Sequence, residues 1–124
     1  VNGGPATVFV IDDDESVRKA LLRMLRTAGW SACAFATAEE FLQSGGPCPS
    51  ACLVLDVRMP GMSGLELKRL LDERSLRVPV IFITGCQDEH LREQAVRAGA
   101  AGFLTKPFDD QSLLDAVSGA LAGG

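Results

Sequence analysis

No apolar run in these 124 residues approaches the roughly 20 that a membrane-spanning helix needs, so the sequence offers no such span. Basic residues are outnumbered, 12 Lys and Arg against 16 Asp and Glu, and the net charge is −4. That balance argues against nucleic acid as a direct partner of this segment, because neutralising phosphates takes a basic surface. There is a single histidine, His90, and the four cysteines (Cys33, Cys48, Cys52 and Cys86) contain no C-x-x-C pair. Cys48-x-x-x-Cys52 with one histidine is a poor zinc set, and free thiols in a reducing cytoplasm are the expectation. The opening VNGGPATV has neither the charged nor the apolar part of a signal peptide. With no initiator Met and a ragged ALAGG end, a trimmed chain or a piece of a longer one is expected.

Low-complexity segments, linkers and internal repeats are also missing, so one domain over 1–124 is expected, with a core over about 7–121. Hydrophobic residues make up 47% and charged ones 23%, which excludes a disordered chain. That length suffices to bury a core without disulfides or metals as staples.

What is present alternates. Short apolar runs at 7–11 (TVFVI), 32–35 (ACAF), 51–56 (ACLVLD), 78–83 (VPVIFI) and 101–104 (AGFL) read as strands. The first, third and fourth are almost continuously apolar, as strands covered on both faces of a parallel sheet must be. Between them the period lengthens. Val17, Ala20, Leu21, Met24, Leu25 and Ala28 fall on one helical face, stopped by Gly29. Thr37-Ala-Glu-Glu40 and Ser63-Gly-Leu-Glu66 have the form of capping boxes, Asp88 can open a fourth helix, and Asp109 or Asp110 a fifth. Trp30 reads as packing and GGPCPS (45–50) as a surface loop. Strand-helix alternation repeated in this way implies an α/β fold, a doubly wound parallel sheet with right-handed crossovers and helices on both faces.

In such sheets the functional crevice lies beyond the carboxyl ends of the strands, at the topological switch point. The first strand runs into Asp12 and Asp13, the third ends in Asp56, the fourth leads to Thr84 and the fifth to Lys106-Pro107. Strand order 2-1-3-4-5, the flavodoxin-like (βα)5 arrangement, sets the first and third strands side by side. Three carboxylates would then share one crevice, where they cannot all stay ionised without counter-charge. A hard divalent cation with oxygen ligands is the simplest remedy. Mg²⁺ suits best, since it binds through one or two carboxylates, keeps waters and accepts phosphate oxygens. With Lys106 adding a fixed positive charge and Thr84 a hydroxyl, the set is suited to phosphoryl transfer onto a carboxylate. Asp14 and Glu15 are explained as a helix N-terminus and need no metal role.

VIDDDESVRKAL, LVLDVRMPGMSGLEL, VPVIFITG and AGAAGFLTKPF, in this order and spacing, resemble the bacterial two-component response-regulator receiver domain (CheY-like), and within it the FixJ-type branch. The resemblance covers about residues 7–121. It implies that Asp56 is the phosphoacceptor, and that Asp12 and Asp13, with Asp56 and the backbone carbonyl of Arg58, hold Mg²⁺. It further implies that Thr84 turns toward the phosphoryl group and Lys106 pairs with it. Phe103 would be either a plain core aromatic or a switch whose rotamer follows Thr84, and the Lys106-Pro107 bond would be cis. Arg58 and Cys86 occupy positions that tune water access in this family. A redox role for the Cys86 thiol has no support, and His90 reads as a solvated helix residue.

The resemblance also implies partners. A His-phosphorylated sensor kinase would be the donor, and phosphorylation would favour a homodimer through the face of the fourth helix and fifth strand. A DNA-binding output domain is expected outside this segment, giving a cytoplasmic transcription regulator that is no enzyme beyond its own phosphorylation and dephosphorylation. Two rivals stand beside this reading. A pseudo-receiver would use the fold as a docking module without phosphorylation. A haloacid-dehalogenase-type phosphohydrolase would use Asp12-x-Asp14 and leave Asp56 idle. A flavodoxin role fails because the acidic loop after the first strand would repel an FMN phosphate.

Overall fold

The structure, a computed structural model, describes residues 7–47, 51–85 and 89–123. Elements run in the order β1 (Thr7–Ile11), α1 (Glu15–Thr27), β2 (Ser31–Phe35), α2 (Ala38–Gln43), β3 (Ala51–Asp56), α3 (Gly64–Glu73), β4 (Val80–Thr84), α4 (Glu89–Arg97), β5 (Gly102–Thr105) and α5 (Asp110–Gly123). The sheet has the order β2-β1-β3-β4-β5 with every pair parallel, as expected. Every residue of β3 and of β4 is buried, which is why their sequences show no polar alternation.

The period of two divides the strand side chains between two cores. Phe9, Ile11, Leu53, Leu55 and Phe82 pack with Ala38 and Phe41 of α2, Leu67 and Leu71 of α3, and Leu91 and Ala95 of α4. Val8, Val10, Cys52, Val54, Ile81 and Ile83 pack on the other face with Leu21 and Leu25 of α1 and Leu113 and Val117 of α5. Within the first core Phe41 stands edge-on to both Phe9 and Phe35, at centroid distances of 5.4 and 5.6 Å, which fixes the short α2 on the sheet. Trp30 packs at the margin of the second core.

Several boundaries shift from those read in the sequence. β4 begins at Val80 rather than 78, just after Pro79, whose nitrogen carries no proton for a ladder. It extends through Thr84, whose carbonyl accepts the Lys106 N–H at 2.7 Å, and Thr84 pairs in register with Thr105. β5 is accordingly Gly102–Thr105 and β2 starts at Ser31. On α1 the buried stripe is set by bulk: Leu21 and Leu25 are covered and Leu22 is partly so, while Ala20 and Ala28 lie exposed at its rim.

The helix starts follow their caps. Asp14 accepts the N–H groups of Ser16 and Val17, and Asp109 accepts that of Ser112. At Ser63 the capping box is reciprocal. At Thr37 only half of it forms: the hydroxyl accepts the Glu40 N–H, but the Glu40 carboxylate reaches back to Ala36 instead. Asp88, Cys48 and Cys86 lie outside the described residues. No helix among the described residues is long and apolar enough to cross a membrane.

Candidate functional site

Register alone gathers the acids. Ile11 pairs with Leu55, so the next residue of each chain segment, Asp12 and Asp56, emerges side by side at the carboxyl edge of the sheet. Asp12 is fully buried there and Asp56 is 7% exposed, while Asp13, one step further out, is exposed. One carboxylate oxygen from each of Asp12, Asp13 and Asp56 lies within 4.8 Å of the other two. Lys106, just past β5, reaches across to place its Nζ 2.9 Å from Asp12 Oδ2 and 3.6 Å from Asp56 Oδ2.

Backbone donors hold this cluster in place. Asp12 Oδ1 accepts the Asp14 N–H at 2.9 Å, and Asp56 Oδ1 accepts the Arg58 N–H at 3.1 Å. Arg18, on the first turns of α1, donates to the Asp12 carbonyl at 2.8 Å. The arginine ties the helix to the end of the strand that carries the acid. Nothing in the local sequence pattern points to that contact, since Arg18 merely looks like the polar side of an amphipathic helix.

Electrostatics at the site are unbalanced. Burial first, and the neighbouring Asp12 charge second, push the Asp56 carboxyl up from 3.8 to about 6; Lys106 and the Arg58 N–H pull the other way. For Lys106, burial works against the ammonium, but its hydrogen bond to Asp12 and the charges of Asp56 and Asp12 outweigh it and hold its pKa above the ordinary value. Three acids thus face one lysine. An all-oxygen donor set of this spacing, carrying excess negative charge, fits a hard divalent cation and suits neither a soft metal nor an anion.

Thr84 is 2% exposed at the end of β4. It follows Phe82 by two residues, so it falls on the same sheet face, and Phe82 is the register partner of Phe103. Phe103 is half-buried against that core, with the Arg92 guanidinium 5.9 Å from its ring centroid. Arg58 is exposed, and the Lys106-Pro107 peptide is cis. His90 is exposed on α4.

Gly64 belongs to the site, although it was not among the residues singled out above. A side-chain carbon there would collide with the Asp56 carbonyl oxygen and come within 3.1 Å of the Val57 Cα, both backbone atoms with little room to yield. The Gly64 N–H meanwhile donates to the Val57 carbonyl at 3.0 Å. Gly64→Ala is therefore expected to lose about 1–3 kcal/mol of stability. Its denaturant midpoint measures the loss, and an unchanged midpoint would contradict the close packing of α3 on Asp56. The signal was present as a glycine in the first turn of a capped helix, a position where glycine brings no intrinsic benefit.

A family model described as "Response regulator receiver domain" matches residues 8–118. Nodulation protein W of Bradyrhizobium diazoefficiens is 48% identical over 112 residues, which is 90% of this chain and 49% of that protein. Transcriptional regulatory protein TdiR of Thauera aromatica is 44% identical over 97% of this chain and 53% of its own length. The chain thus spans about half the length of the curated relatives it matches. Among solved structures, "Crystal structure of FixJ-N" superposes with a TM-score of 0.87 at 38% identity, over 96% of this chain and 95% of that one.

Proposed function

The chain belongs to the response regulator receiver domain family of two-component systems, and from that membership we propose that Asp56 accepts a phosphoryl group from a His-phosphorylated sensor kinase. The observation that carries this reading is the meeting of Asp12, Asp13 and Asp56 within 4.8 Å, with Lys106 at 3.6 Å from the Asp56 carboxylate. Of the three acids, Asp56 is the one suited to be the nucleophile: Asp12 is committed to Lys106 and to the Asp14 N–H, and Asp13 lies outermost.

Asp12, Asp13 and Asp56, with the Arg58 carbonyl, would hold Mg²⁺. When bound it would neutralise the carboxylates and the charge on the phosphoryl oxygens. The chain's own residues do the rest. Asp56 is an ionised carboxylate above about pH 6 and attacks phosphorus in line. A carboxylate O–P bond forms as the P–N bond of the phosphoimidazole breaks, and the freed imidazole takes a proton from solvent. Lys106, held by Asp12 beside Asp56, is positioned to pair with the transferred group. The Thr84 hydroxyl, on the strand next to β3, is the donor that turns toward it.

A phosphoryl group adds roughly −1.5 to −2 charges and three acceptor oxygens, enough to favour a packing in which Thr84 moves inward. Phe103 shares Thr84's sheet face on the adjoining strand, so the shift would pass to the α4–β5 surface and favour a homodimer there. Arg58, exposed beside Asp56, would shield the acyl phosphate from water. Cys86, expected to act with it, lies outside the described residues. The output we propose is transcriptional, in the cytoplasm, with DNA contacted by a segment other than this one; one half-matched relative is named a transcriptional regulatory protein.

The test is intact mass after treatment with acetyl phosphate and Mg²⁺. One phosphoryl group per chain is expected, located at Asp56 by borohydride trapping. No adduct would support the docking-module alternative, and steady turnover of a phosphate monoester would support the phosphohydrolase. The latter is disfavoured because Asp14 is spent on capping α1.

A further inference from the structure

We infer that Glu39 is a positioning residue for the phosphoacceptor site, clasping the loop between β3 and α3 so that Arg58 is held against the acids. The inference deepens the phosphoacceptor reading above and rests on it. The Arg58 N–H on Asp56 joins that loop, residues 57–63, to the cluster. Its far side is joined to α3 by the Ser63 cap and takes a second anchor from α2. The Met62 N–H supplies the second, donating to Glu39 Oε2 at 3.0 Å across 23 residues of sequence.

The loop is shaped to receive this carboxylate. Pro60-Gly61 is the residue pair of a type II turn, and Gly61 sits at φ +76°, where a side chain is disfavoured. A side-chain carbon at Gly61 would also fall 2.8 Å from Glu39 Oε2. The backbone calls for glycine, and any side chain there would displace the Glu39 carboxylate from its present place. Below the turn, Met62 packs onto the same core that holds Phe41, two residues beyond Glu39. Phe41 is locked between Phe9 and Phe35, so α2 is a fixed post rather than a floating arm. A carboxylate accepting a backbone N–H is among the stronger hydrogen bonds.

Arg58 and Met62 stand at the two ends of one short loop. With Glu39 in place, the Arg58 carbonyl keeps its position beside Asp56; without it, the turn keeps its ties to the acids and to the α3 cap but loses the one to α2. Glu39 touches neither Asp56 nor its ligands and acts through the loop alone.

Glu39→Ala and Glu39→Gln separate the acceptor from the charge, since glutamine keeps an oxygen for the Met62 N–H. Three quantities are compared in the full chain: Mg²⁺ affinity by calorimetry, the lifetime of the Asp56 phosphate, and hydrogen exchange of the Met62 amide. Glu39→Ala is expected to weaken Mg²⁺ binding and shorten the phosphate lifetime, each by roughly three- to tenfold, with faster Met62 exchange. Glu39→Gln is expected to stay within about twofold of the parent on all three. An alanine variant with parental Mg²⁺ affinity and lifetime overturns the inference, and so does a glutamine variant that behaves like alanine. A parent that takes no phosphoryl group sinks the phosphoacceptor reading instead, and the Mg²⁺ titration, which needs no transfer, still decides the role of Glu39.

Discussion

Lys106→Met is expected to destabilise the metal-free protein by about 3–5 kcal/mol near neutral pH, the usual consequence of removing one partner from a buried ion pair. Asp12 is fully buried, and the Lys106 ammonium at 2.9 Å is its counter-charge, with Asp56 a further 3.6 Å contact of the same nitrogen. Methionine conserves the length of the stem, so the loss reports charge more than packing. The sign with pH follows from the raised pKa of Lys106. A lysine whose pKa is higher in the folded state contributes its stabilisation fully below its unfolded value, and loses it only as pH rises through the folded one. The wild-type advantage is thus present across the neutral range. It shrinks in acid for a different reason, because Asp56 takes up a proton as pH falls through about 6. Divalent cation should restore much of the loss by binding the folded state alone. Urea unfolding in chelator, repeated with Mg²⁺, measures all three effects; a variant as stable as wild type in chelator would show that Lys106 does not balance the acids.

The sheet order and the gathering of Asp12, Asp56 and Lys106 were legible in the sequence because they follow from two short-range signals. Apolar runs without alternation marked β1, β3 and β4 as central, and the first polar residue after each run is the one that emerges at the carboxyl edge. Once β1 and β3 are neighbours, the acids meet whatever the loops do. The caps at Asp14, Ser63 and Asp109 were legible for the same reason, being chemistry confined to one helical turn.

What escaped depended on approach between distant segments. Arg18 reaches the Asp12 carbonyl because α1 packs down on β1, and Glu39 reaches Met62 because α2 and the β3–α3 loop converge over one core. Neither side chain differs in sequence from an ordinary solvated charge. Gly64 is similar: its need appears only when the first turn of α3 is seen lying on the Asp56 carbonyl. The boundary shifts of β4 have plainer causes: the missing N–H of Pro79 delays its start to Val80, and pairing with Thr105 carries its end through Thr84.

Asp56→Asn should move stability in the direction opposite to Lys106→Met, while abolishing phosphoryl labelling. The amide has no carboxylate to form an acyl phosphate, so the mass adduct is expected to vanish, and its persistence on another residue would reassign the acceptor. The stability gain arises because Asp56 is held at about 6 instead of 3.8, chiefly by burial and then by Asp12. An acid with a raised folded pKa binds more protons folded than unfolded between those values, so folding stability falls as pH rises from about 4 to about 6. Above that window the ionised carboxylate costs about 3 kcal/mol, and asparagine removes the cost while its oxygen still accepts the Arg58 N–H. The two proteins should therefore be equally stable near pH 4 in chelator and diverge through pH 6, with the variant melting several degrees higher at pH 7. Added Mg²⁺ is expected to reverse the order, because the charge that strains the free site would attract the cation, so wild type should gain more from added metal than Asp56→Asn. A variant that is less stable than wild type at pH 7 without metal would mean that the acid cluster is not in electrostatic excess, and that the cation is not what the cluster is built to hold.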